Sequence, residues 1–77
     1  NPSTTIKYDV PNGGMDINLS IYDIRGRLVA ELVNKFQNAS ATSYEIVWDA
    51  SMHPSGLYFL RFHAGSESFS QKLMVIK

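Results

Sequence analysis

Turn-forming residues interrupt this chain so often that the segments between them run to only about five to ten residues. The breaks fall at Pro11-Asn12-Gly13-Gly14, Asp23-Ile24-Arg25-Gly26, residues 34–42, residues 49–56 and Ala64-Gly65-Ser66. Gly, Pro, Asn, Asp and Ser bring backbone conformations that end regular structure, and helices need longer stretches than these breaks leave. The spacing therefore selects strands, and the side-chain pattern between the breaks agrees.

Ile6, Tyr8 and Val10 alternate with Thr5, Lys7 and Asp9, and Met15, Ile17, Leu19 and Ile21 alternate with Asp16, Asn18, Ser20 and Tyr22. Both segments read as strands with one buried and one wet face. Tyr44, Ile46 and Trp48 alternate with Glu45, Val47 and Asp49, and Tyr58, Leu60 and Phe62 with Phe59, Arg61 and His63. The last segment sets Phe69, Gln71, Leu73 and Val75 against Ser70, Lys72, Met74 and Ile76, so its end is apolar on both faces. Residues 27–36 fit two periods: Leu28, Leu32, Val33 and Phe36 make a helical stripe, whereas Leu28, Ala30 and Leu32 alternate as in a strand. A hairpin turn closing at Gly26, a position suited to positive φ, joins this segment directly to the strand before it and favours strand.

Six strands at this spacing predict an all-β, immunoglobulin-like antiparallel β-sandwich of about six to seven strands, filling residues 1–77 as a single domain. The inward set is Ile6, Tyr8, Met15, Ile17, Leu19, Ile21, Leu28, Ile46, Trp48, Tyr58, Leu60, Phe62, Leu73 and Val75.

Composition narrows the function. Seven basic residues balance seven acidic ones, which leaves no basic stripe for a nucleic-acid backbone. The chain has no cysteine, hence no disulfide, thiolate metal site or cysteine nucleophile. No apolar run exceeds four residues, far below a membrane-spanning helix, and the polar start Asn1-Pro2-Ser3-Thr4-Thr5 does not resemble a signal peptide and reads as a cut within a longer protein.

Catalytic and metal-binding patterns are equally thin. His53 lies in a Met-His-Pro-Ser-Gly turn and His63 on an outer strand face, so both read as solvated imidazoles and no metal or cofactor is expected. Nine serines offer many nominal triads but no nucleophile-elbow motif. Asp16, Asn18 and Ser20 mimic the start of a calcium loop, yet Ile21 and Arg27 stand where Gly and Glu are required. Asn18-Leu19-Ser20 and Asn38-Ala39-Ser40 match a glycosylation acceptor pattern that is common by accident. Tyr22 and Phe59 fall on outer faces, where an aromatic ring can stack on a sugar or meet a partner, although cross-strand packing or cover by a loop is the more ordinary account of such residues. These residues point to a chain that is not an enzyme but a spacer, a binding module or a signal read by another protein.

Five segments in order resemble a known family. They are Asn1-Pro2-Ser3-Thr4-Thr5-Ile6-Lys7-Tyr8, Ile21-Tyr22-Asp23-Ile24-Arg25-Gly26-Arg27-Leu28-Val29, Val47-Trp48-Asp49, Ser55-Gly56-Leu57-Tyr58-Phe59-Leu60-Arg61-Phe62 and Gln71-Lys72-Leu73-Met74-Val75-Ile76-Lys77. Together they are similar to the type A C-terminal sorting domain of the type IX secretion system, carried by cargo proteins of Bacteroidetes. The resemblance implies an immunoglobulin-like sandwich of seven short strands, covalently attached behind an N-terminal cargo domain. It also implies that the domain passes through the periplasm to the cell surface or medium, read by an outer-membrane translocon and then removed by a sortase-like peptidase.

By position, Gly26 matches the family's hairpin glycine, Gly56 and Tyr58 its Gly-x-Tyr, and Lys72, Leu73, Val75 and Lys77 its terminal segment. The Ile-Tyr-Asp-x-x-Gly and Trp-Asp segments are also similar to the immunoglobulin-like domain of the flagellar hook-capping protein. The alternatives of a different class are a carbohydrate-binding accessory module using Tyr22 or Phe59, and a passive spacer within a secreted enzyme.

Overall fold

A computed structural model of the chain describes residues 3–76. It contains six strands, β1 (Ser3–Tyr8), β2 (Met15–Tyr22), β3 (Leu28–Gln37), β4 (Tyr44–Asp49), β5 (Gly56–Ala64) and β6 (Glu67–Val75), and no helix among those residues. A four-stranded sheet runs in the order β3-β2-β5-β6 and faces a two-stranded sheet, β1-β4, with every pairing antiparallel. This is the sandwich that the alternation predicts, with six of the expected six to seven strands among the described residues. The chain changes sheet between β1 and β2, between β3 and β4, and between β4 and β5.

The core follows from where each strand sits. β2 is paired on both edges and covered on its inner face, so Ile17, Leu19 and Ile21 are wholly buried. Trp48 from β4 meets them from the facing sheet, with Tyr58 and Leu60 from β5 and Val75 from β6 lining the same inner face. At one end Trp48 meets Tyr58 edge to face at 5.3 Å. At the other, Tyr8 lies against Tyr44 at 5.5 Å and Phe62 at 5.2 Å, joining the two sheets through rings in favourable offset or tilted geometry. The Tyr8 hydroxyl donates to Gln37 Oε1. Burial pushes the Tyr8 phenol above its ordinary value; the Gln37 hydrogen bond works against that rise and nearby Tyr44 adds to it.

The ambiguous segment is a strand, but one that breaks its own period. Leu19 pairs with Val33 and Ser20 with Glu31, leaving Leu32 as an extra residue; Ile21 pairs with Ala30 and Tyr22 with Leu28, leaving Val29 as another. Each extra residue turns the following side chain to the opposite face. Leu28, expected inside, pairs with Tyr22 on the outer face and is 56% exposed, while Val33, across from buried Leu19, enters the core instead. Val10 and Ala50, in the connections after β1 and β4, are core residues outside the expected inward set, although alternation puts Val10 on the face of Ile6 and Tyr8. The remaining expected core positions are buried or packed against the buried cluster.

Candidate functional site

Gly56, Tyr58, Leu73 and Val75 occupy one antiparallel ladder. Gly56 pairs with Val75, Tyr58 with Leu73 and Phe59 with Lys72, so residues 13 to 19 apart in sequence become neighbours. Gly56 opens β5 at φ 153°, a backbone region that side chains rarely adopt, with open space where a Cβ would stand. Glycine is required there by conformation and not by crowding. Two residues later, Tyr58 buries its ring against Trp48 and its hydroxyl donates to the Pro54 carbonyl at 2.7 Å, tying β5 to the turn before it.

Gly26 reaches the same end of the sandwich from the other side. It closes the β2–β3 hairpin at φ 83°, its N–H donating to the Asp23 carbonyl at 2.9 Å. The Asp23 side chain organises this turn: Oδ1 accepts from the backbone N–H groups of Arg25 and Arg27, both at 2.9 Å, and Oδ2 from Arg27 Nε at 3.1 Å. The Arg27 backbone bond is the largest reason that the Asp23 carboxyl is held below its ordinary value, with desolvation opposing it and the Arg25 bond and the Arg27 side chain assisting. A groove of about 430 Å³ separates the hairpin from the β4–β5 turn, with Asp23, Ile24 and Arg27 on one wall and Pro54, Gly56 and Tyr58 on the other.

His53 lines that groove as well, and here the expectation of a solvated imidazole is corrected. Its ring is half-buried, 5.8 Å from Trp48 and 6.4 Å from Tyr58, because the turn that follows Ala50 folds it back onto the aromatic pair. A Met-His-Pro-Ser-Gly string carries no signal of that packing, which depends on rings from two distant strands. His63 is exposed on the outer face of β5, as the alternation predicts.

β6 divides its residues between roles. Leu73 and Val75 pack inward, whereas Lys72 and Met74, and Ile76 directly after the strand, are exposed, the latter two at 64% and 72%. Lys77 lies outside the described residues. Tyr22 and Phe59, far apart in sequence, are direct cross-strand partners on the outer face. No group of three or more metal-ligating side chains occurs among the described residues.

A family model described as the secretion system C-terminal sorting domain matches residues 1–77, the whole length of the sequence. The chain belongs to this family. Such a sorting domain is the C-terminal sorting signal of type IX secretion cargo proteins, a non-catalytic family whose role implies the type IX machinery, an attached cargo and export to the cell surface or extracellular space. No curated protein and no solved structure matches the chain. The sorting domain's helix-free structure contains no helix able to cross a membrane among the described residues.

Proposed function

We propose that the type IX machinery reads this sorting domain at the end of the sandwich where Gly26, Gly56, Tyr58, Leu73 and Val75 meet, and that the exposed residues of β6 are the contacted ones. The observation that carries this reading is the division at the end of β6: Leu73 and Val75 hold the strand to the core, and Lys72, Met74 and the next residue, Ile76, stand in solvent on the same short stretch. Lys77 continues that stretch in sequence and belongs to the same contact segment. Gly26, Gly56 and Tyr58 act by building the end on which the segment is displayed, and the domain has no catalytic residue of its own.

In this reading residues 1–77 form one C-terminal domain of a larger secreted protein, crossing the periplasm with its cargo. An outer-membrane translocon engages it, and a sortase-like peptidase then cleaves it from the cargo. We infer that the segments similar to the hook-capping immunoglobulin-like domain serve the fold, since here they lie at the β2–β3 hairpin and at the buried Trp48.

The test is a periplasmic reporter fused ahead of Asn1 in a type IX-competent host. Export to the surface is expected for the parent domain and for Leu28→Ala. It is expected to fall at least about tenfold when Lys72→Gln, Met74→Ser and Ile76→Ser are combined, substitutions at exposed sites that leave the fold intact. Undiminished export of the folded triple variant overturns β6 as the contact.

A further inference from the structure

The outer face of the four-stranded sheet carries a second surface, remote in chemistry from the packed end. Tyr22, Phe59 and Lys72 form one row across β2, β5 and β6, and Ser20, Arg61 and Ser70 form the next. The Arg61 guanidinium lies over the Tyr22 ring, 5.5 Å from its centre. A guanidinium stacked in this way keeps its N–H edge free for an anion while losing little further freedom. Phe59, beside Tyr22, and Ser70, beside Arg61, complete a shallow depression of about 370 Å³ with Ile24 at its rim, 72% exposed.

The charges around this depression do not cancel. Among the described residues the ion pairs are Lys7 with Glu45 and Arg27 with Asp23, so neither Arg61 nor Lys72 has a carboxylate within ion-pair distance. Asp23 borders the site, but its carboxylate is taken up by the hairpin's own donors. Glu31, in the Ser20 row on β3, accepts from the Asn18 and Asn34 amides. Two aromatic rings are thus bordered by two uncompensated cations on a domain whose total charge is zero.

We propose that this face binds an acidic saccharide, with a sugar ring stacked on Phe59, its carboxylate on the Arg61 guanidinium, a hydroxyl on Ser70, and Lys72 adding positive charge on the β6 side of the ring. The positive rim selects an anion, and the ring selects a ligand with a flat C–H face. An acidic peptide fits less well. β2 and β5, which carry Tyr22, Phe59 and Arg61, have both backbone edges paired, and the free edge on this side of the sheet is that of β6, so a peptide joining it would lie one strand beyond the rings and not on Phe59.

The test is a titration of the isotopically labelled chain with alginate, an acidic polysaccharide, followed by backbone amide chemical shifts. The largest shifts are expected at Tyr22, Phe59, Arg61, Ser70 and Lys72, with none on adding neutral dextran. Arg61→Gln and Phe59→Ala are each expected to weaken alginate binding at least about fivefold. Arg61 is exposed, so its variant stays folded and decides the matter if Phe59→Ala does not. The proposal is overturned by absent shifts, by shifts centred elsewhere, by binding unchanged in Arg61→Gln, or by polyglutamate producing the same response as alginate. None of these results bears on export of a fused reporter, so the sorting reading stands or falls separately.

Discussion

The two faces of the β5–β6 hairpin use the same ladder for opposite purposes. On the inner face Tyr58, Leu60 and Val75 are buried, with Leu73 packed against them; on the outer face, one residue out of step, Arg61, Lys72 and Met74 stand exposed. An antiparallel ladder makes this division unavoidable, since neighbouring residues point to opposite sides. A recognition segment laid along a strand is therefore half structural and half displayed. In such a segment, losing a residue does not show whether it was contacted or merely folded.

The comparison breaks most readily on the buried side. Tyr58→Ala removes a core ring and its bond to Pro54, and is expected to cost about 3–5 kcal/mol in urea unfolding; a loss below about 1 kcal/mol means that the inner face does not hold the hairpin. Gly56→Ala keeps every contact but forces a side chain onto φ 153°, with an expected loss of about 1–2 kcal/mol. An equal stability for that variant places the first residue of β5 in a different conformation.

A pH series sharpens the role of the opposite end. Burial raises the Tyr8 phenol in the folded state, so folding favours the protonated form. The contribution is present in full below pH about 10 and is lost as pH rises through the raised folded value. Urea midpoints between pH 8 and 11 are expected to fall more steeply for the parent than for Tyr8→Phe, and parallel curves remove Tyr8 from that account. The smallest effect belongs to the outer face, where Leu28→Ala is expected to change stability by no more than about 0.5 kcal/mol. A loss of core size there contradicts the outward placement of Leu28 beside Tyr22.

Sequence legibility varied with strand regularity. β2 alternates without interruption, and Ile17, Leu19 and Ile21 are buried as its pattern requires. β3 was harder to read because two extra residues, Val29 and Leu32, defeat any single period, and a bulge leaves no compositional mark of its own. The site shows the same contrast. Gly26 and Gly56 were legible because their conformations demand glycine, and Tyr22 and Phe59 because alternation put them outside. His53 was not, because its packing depends on Trp48 and Tyr58 arriving from other strands.

What the chain dictated alone was its inventory of short, punctuated, alternating strands, since turn chemistry and period-2 burial are local. The partnership of those strands, Tyr22 beside Phe59, Arg61 over Tyr22, Gly56 against Val75, belongs to the tertiary structure. Strand pairing joins residues distant in sequence, and the competing registers are separated only by how well the assembled faces bury their apolar side chains.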